Sequence, residues 1–364
     1  MERINTYENW LKREGLPVIR DFSIPDVLDV PLQPWARKGG LGAYINLKGS
    51  EGVIDAYLCE IPPGKDLKPQ KHFYDEVIYI LSGYGATSVW TEGSPKQSFE
   101  WHAGSFFCPP LNTWHQHFNG QSDKPVRYIG ITKAPMFMNL IHDIDCIFNN
   151  NYIFKSRYSG EEGYFGSRGK LIVTDDDYAN PKIWDSAFIP DCNAFQLAED
   201  SKRGGLSSNA HFELANGIIS AHISDFPGGT YLKAHHHGPG AHILVLSGTG
   251  YELMWPLKSG MRAEGVERIK IDLKKGSIFS PPSAYFHQHF STGKAPMRVL
   301  AVHGTRSLKY EMNKDEVAWA RKSIKEGGQQ VEYADEDPEI RRLFKEELKK
   351  TGAPFLMSKY FPGE

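Results

Sequence analysis

The stretch GSFFCPPLNTWHQHFN, Gly104–Asn119, places two histidines one residue apart at the end of an apolar and aromatic run that passes through a proline pair. Further along, GSIFSPPSAYFHQHFS, Gly276–Ser291, keeps the glycine, the proline pair and the whole His-Gln-His-Phe element in the same places. Working outward from this pair, AYLCEIPPGKDLKPQKH (Ala56–His72) lies over AHISDFPGGTYLKAHHH (Ala221–His237) at an offset of 165. The register holds through Leu81-Ser82-Gly83 over Leu246-Ser247-Gly248 and Trp90 over Trp255; seven extra residues then carry the offset to 172. Self-similarity over this length marks a tandem duplication.

Each copy reads as short strands. VIYILSGYGATSVW and ILVLSGTGYELMW are rich in β-branched and aromatic residues and are bounded by glycine turns. Helical spacing of apolar residues amid paired charges is confined to the outside of the repeats, in TYENWLKREG, KDEVAWARKSIKEGG and EDPEIRRLFKEELKK. The chain is thus expected to be all-β, with an N-terminal extension carrying a helix over 1–45, one unit over 46–140, an irregular connection over 141–209, a second unit over 210–308 and a helical tail over 309–364. The terminal extensions would serve as packing flaps or as arms for a homo-oligomer.

A length of 364 residues suits two domains with extensions. Hydrophobic residues make up 40% and charged residues 24%, and the formal net charge is −2, which gives no global reason to expect nucleic acid or an anionic membrane as partner. The expected ligand is a small molecule. Cys59, Cys108, Cys146 and Cys192 form no CxxC pair and read as reduced thiols. With neither a secretory leader nor a run of about 20 apolar residues in view, a cytoplasmic location is expected.

Side chains at i and i+2 of a strand face the same way, so His115 with His117, His235 with His237, and His287 with His289 each project together. Histidines aimed inward from separate strands of a small barrel make a cage for iron, nickel, copper, zinc or another divalent transition metal.

In these positions the chain resembles the cupin superfamily, and specifically its two-domain bicupins. The family's first motif is a glycine, five residues, HxH, three or four residues, Glu, six residues and Gly. The second is a glycine, five residues, PxG, two residues, His, three residues and Asn. Gly64, His72, Glu76 and Gly83 fit the first motif, and Gly104, Pro110, His115 and Asn119 the second; Gln70 stands in the first histidine's place and Asn112 in that of the inner glycine. In the second copy Gly229, His235, His237 and Gly248 fit, followed by Gly276, Pro282 and His287. There Ala241 occupies the glutamate position with His242 beside it, Ala284 replaces the inner glycine and Ser291 the asparagine. The resemblance covers about residues 50–135 and 215–305.

It implies two tandem jelly-roll (double-stranded β-helix) barrels. It also implies a site of His72, Glu76 and His115, with Gln70 as a weak fourth ligand, and a neutral site of His235, His237 and His287, with His242 as a fourth ligand if a bulge turns it inward. His117 and His289 are the candidates for orienting substrate or moving a proton, His289 being set about 7 Å along its strand from His287 and so beyond the same metal. His102, His142, His211, His222 and His303 hold no motif position and are read as structural. The first expectation for activity is a metal-dependent oxygenase, Fe(II) favoured with Ni, Mn, Cu or Zn as alternatives, acting on a small aromatic or diketone-like molecule. Phe73, Tyr74, Trp114, Tyr285 and Phe286 would frame such a substrate. The alternatives are a non-redox metal-dependent decarboxylase, isomerase or lyase, and a binding protein without turnover.

Overall fold

A computed structural model describes residues 4–166, 169–172, 183–200, 202–305, 319 and 321–361. The first copy supplies β1 (Gly40–Ile45), β2 (Asp55–Ile61), β3 (Glu76–Ser82), β4 (Tyr84–Trp90), β5 (Gln97–His102), β6 (Trp114–Asn119) and β7 (Val126–Thr132). The second supplies β8 (Ser208–Leu214), β9 (Ser220–Phe226), β10 (Ala241–Ser247), β11 (Thr249–Pro256), β12 (Ile269–Lys274), β13 (Tyr285–Ser291) and β14 (Met297–His303).

In each copy the strands divide between two sheets. One sheet runs β1-β2-β7-β3 and its repeat runs β8-β9-β14-β10; facing these are β6-β4-β5 and β13-β11-β12. The result is the expected pair of jelly rolls. Short strands tie the halves together: Phe188–Ile189 of the connection pairs with Phe106–Phe107 of the first barrel, and Ser23–Ile24 of the N-terminal extension pairs with Ile278–Phe279 of the second.

Alternation sorts the apolar residues into layers. Leu58, Val77, Ile129 and Ile131 of the first barrel meet Phe212, Ile223, Leu244, Leu300 and Val302 of the second in one continuous core between the barrels. The opposite faces of the same strands, Cys59, Ile78, Ile80 and Tyr128 in one half and Ile243, Val245, Val299 and Ala301 in the other, line the two barrel interiors. Motif glycines make the turns at matching places: Gly64 and Gly229, Gly83 and Gly248, and Gly104 and Gly276 all have positive φ. Asn112, in the inner glycine's place, also takes the left-handed region at φ 56°, which asparagine tolerates.

The helices fall outside the repeats. α1 (Thr6–Glu14) is capped by Asn5, whose side chain accepts from the Glu8 N–H, and ends at Gly15 with φ 69°. Its Tyr7, Trp10 and Leu11 join the first barrel's interior cluster and close that end. α2 (Ala134–Ile141) and α3 (Ile144–Asn149) open the connection. α4 (Pro338–Thr351) lays Ile340, Phe344 and Leu348 over Tyr231, Tyr251, Trp255 and Phe290 on the outer face of the second barrel. Residues 314–318 and 320 of KDEVAWARKSIKEGG lie outside the described residues, and its end forms a 3-10 turn over Ile324–Glu326. Among the described residues no helix is long and apolar enough to cross a membrane, and all four cysteines are free.

Candidate metal centres

The first barrel brings His72, Glu76 and His115 together from the loop before β3, from β3 and from β6, with ligand atoms all within 4.8 Å of one another. Nε2 of His72 is 3.3 Å and Nε2 of His115 is 3.6 Å from Glu76 Oε2. A carbonyl can only accept, so His72 Nδ1 donates to Tyr74 O at 2.9 Å and His115 Nδ1 to Thr113 O at 3.3 Å, which turns both Nε2 atoms toward Glu76. His115 Nε2 is buried without a hydrogen-bond partner, as expected of a donor awaiting an ion. Burial pushes His115 well below the usual imidazole range and keeps it neutral. Burial alone would push the Glu76 carboxyl up, but its surroundings, Lys38 foremost, outweigh it and hold the group well below the usual carboxylate range.

Two interior residues of this site had no place in the motif. Lys38 Nζ donates to Tyr57 OH at 2.6 Å, and Tyr57 OH donates to Glu76 Oε1 at 2.5 Å. Gln70 is drawn the other way: Arg37 Nη1 donates to its Oε1 at 2.6 Å while its amide nitrogen donates to three backbone carbonyls. His117 lies one step along β6, sharing a 2.8 Å hydrogen bond between its Nδ1 and Thr87 Oγ1. Trp101 Nε1 also donates to that hydroxyl.

In the second barrel the tight group is His235, His287 and His289, again within 4.8 Å. His289, which strand rise alone sets beyond a metal held by His287, nevertheless brings a ring nitrogen within reach of the group; the two ring centroids are 5.6 Å apart. His237 stands beside the group, 4.6 Å from His287 between centroids, its Nδ1 donating to Gly238 O at 2.8 Å. His235 Nδ1 donates to Lys233 O at 3.2 Å, and both nitrogens of buried His287 lack partners. Burial first, then Arg203 for His235 and His237 for His287, holds these two imidazoles neutral. Neutral, oriented, unpartnered imidazoles are the donor set that divalent iron, manganese, nickel or zinc accepts, and the residues of both barrels fit such an ion.

His242 is not in the group. β10 keeps strict alternation where a bulge was expected, the irregularity falling later, between Val245 and Ser247. Ala241 and Ile243 therefore face the interior, while His242 shares the side of Leu244 in the core between the barrels. It is fully buried with neither nitrogen partnered, and burial depresses its pKa to about 3.

A cavity of about 60 Å³ opens beside the second group. Its wall includes residues the motif does not predict. His211, His222 and His303 project from β8, β9 and β14, with His303 Nε2 3.2 Å from His222 Nδ1. Arg321 of the tail pairs with Asp200 at 2.7 Å, and Arg203 completes the polar side. Phe226, Leu232, Ile243, Val299 and Ala301 make the apolar side. None of Phe73, Tyr74, Trp114, Tyr285 and Phe286 lines it; Trp114 stacks on Trp90, and Phe286 packs beneath the tail. The signal for the extra histidines was their parity with inward residues of strands outside the motifs. Glu252 was also missed; it is fully buried on β11, and its Oε2 accepts from His289 Nδ1 at 2.6 Å.

Residues 57–132 match the family model of the cupin domain. No curated protein matches the chain by sequence. Among solved structures, the oxalate decarboxylase of Lactobacillus farciminis in its formate complex superposes with a TM-score of 0.50 at 13% identity, covering 78% of this chain and 86% of that one. A tryptophan-to-tyrosine variant of the Bacillus subtilis oxalate decarboxylase gives 0.50 at 14% identity, covering 79% and 78%. With a cupin domain matched in the first repeat, its motif histidines repeated in the second and the shared fold spanning both halves, the chain has the two-domain fold of the cupin superfamily.

Proposed function

We propose that the second barrel is the active site of a metal-dependent enzyme that acts on a small organic acid without net oxidation, by decarboxylation or a related lyase step. The observation that carries this reading is the cavity beside His235, His287 and His289. At about 60 Å³ it is less than half the roughly 150 Å³ apolar cavity known to take up benzene, so a compact acid fits it better than an aromatic ring. Among its permanently charged lining residues Arg203 and Arg321 outnumber Asp200, and an all-imidazole donor set leaves the charge of a divalent ion unneutralised. Both features favour an anion. The fold is shared with enzymes named for action on oxalate, which agrees in size and charge.

The residues divide the work. The histidines hold the metal, which when bound supplies a Lewis acid for a substrate oxygen. Arg203 and Arg321 orient the remaining negative charge, and the wall of Phe226, Ile243 and Val299 lowers the dielectric around it. An oxygenase acting on a larger diketone is the rival, and the same assay separates the two. Protein loaded in turn with Mn(II), Fe(II), Ni(II) and Zn(II) is presented with short mono- and dicarboxylic acids, catechols and β-diketones, while CO₂ release and O₂ uptake are followed together. The proposal expects product from a short acid without stoichiometric O₂ uptake. O₂ consumption matched to loss of a catechol or diketone overturns it.

A further inference from the structure

The two barrels differ in where they keep their interior carboxylate. In the first, Glu76 stands in the cluster, and the residue facing His117 across the β4–β6 ladder is Thr87. In the second, the position equivalent to Glu76 is Ala241, and the residue facing His289 across the β11–β13 ladder is Glu252, which the repeat aligns with Thr87. A carboxylate has been lost at one inward position and gained at another.

We infer that His289 is a metal ligand of the second barrel and that Glu252 is its positioning residue, a carboxylate–imidazole pair replacing the glutamate that Ala241 no longer supplies. Three observations meet here. Ligand atoms of His235, His287 and His289 converge within 4.8 Å. The Glu252 bond takes His289 Nδ1, which leaves Nε2 for the cluster. Glu252 has no exposed surface, and among the described residues His289 is the one side chain that hydrogen-bonds its carboxylate. A carboxylate that accepts from a ligating imidazole fixes its tautomer and ring plane and raises its basicity. In the first barrel Thr87 gives His117 only a neutral hydroxyl, already engaged by Trp101, and the three-member cluster there does not include His117. The same pair of ladder positions thus builds a ligand in one half and a core histidine in the other. The inference rests on the metal-site reading of the second barrel but not on the reaction assigned to it.

The test uses the full chain and Zn(II) and Co(II) titrations against a competing chelator, with thermal denaturation of the same preparations. Glu252→Gln is nearly isosteric, and Glu252→Thr copies a pairing that the first barrel already tolerates, so at least one variant should fold. Removing such a supporting carboxylate typically weakens metal binding by about 10- to 100-fold, and that loss is expected for the second-site equivalent in both variants. His289→Gln should weaken it further and change the visible absorption of bound Co(II), which reports the ligand set. If Glu252 and His289 variants bind Zn(II) within about twofold of the parent, with an unchanged Co(II) spectrum, the pair is a plain buried ion pair and the inference falls. Comparison with His235→Ala and His287→Ala separates the two levels: normal binding in those variants would remove the metal-site reading itself, whereas loss there with retention in His289→Gln removes only this inference.

Discussion

A single histidine shows how finely side-chain direction is set by parity. Half-buried His237 and fully buried His242 are five residues apart, yet one faces the metal group and the other the core between the barrels. A neutral imidazole with both nitrogens buried and unpartnered carries a desolvation cost of about 1–3 kcal/mol. His242→Leu is therefore expected to stabilise the protein by about 1–2 kcal/mol at pH 7 and to leave metal content unchanged. The pH dependence has a definite sign. His242 titrates near 3 in the folded chain against 6.5 for a free imidazole, so the unfolded state binds the extra proton between those values and stability falls as pH drops below 6.5. At pH 5 the loss from this group reaches about 2 kcal/mol, at about 1.4 kcal/mol per unit. Denaturant melts of parent and His242→Leu at pH 7 and pH 5 should diverge accordingly; a gap that does not widen toward pH 5, or a loss of bound metal, would return His242 to the ligand set.

At the level of elements, the repeat makes the strands, the turns and the candidate donor histidines legible in the sequence. Glycines at positive φ and histidines at fixed spacing are local demands, and local demands are written in local sequence. Glu252 was missed, although it is the one charge in ILVLSGTGYELMW and the repeat aligns it with Thr87. The cavity was not legible. His211, His222 and His303 enter it because β8, β9 and β14 curve around the same interior, and alternation alone does not say which face of a strand is cavity and which is interface. Arg321 arrives from a tail whose path depends on long-range packing. That tail is held by α4, whose Phe344 has no exposed surface and lies 4.9 Å from the Tyr231 ring and 5.7 Å from Phe290. Phe344→Ala should cost about 3–5 kcal/mol if the vacated volume does not collapse. Hydrogen exchange should locate the loss in α4 and the facing strands β11 and β13, with β3 and β7 of the first barrel unaffected. Uniform loss of protection in both barrels would show that α4 is part of one global unit instead.

Taken whole, the molecule sets two metal donor groups on one duplicated frame and gives them different amounts of room. Around the first, α1 seals the barrel end: Trp10 packs in its interior cluster, Arg37 is clamped between Glu14 at 2.9 Å and Gln70 at 2.6 Å, and the neighbouring cavity is only about 10 Å³, room for about one water. The second has its six-fold larger cavity, with Arg321 of the tail in its wall. A chelator attacking the loaded protein should therefore draw off its metal in two phases of about one equivalent each. Release from the first barrel must wait for local opening of α1, and if that opening costs about 1.4 kcal/mol or more beyond the second site's, the phases separate on the order of tenfold or more. His287→Ala should abolish the fast phase and His115→Ala the slow one. Trp10→Ala, which loosens the seal without touching a ligand, should accelerate only the slow phase. Turnover should decay with the fast phase, because the second barrel is the one with room for a substrate. Stopped-flow chelation with an absorbing indicator, run beside the activity assay, measures all of these; a single phase unmoved by Trp10→Ala would mean that α1 does not guard the first site, and turnover that follows the slow phase would place catalysis in the first barrel.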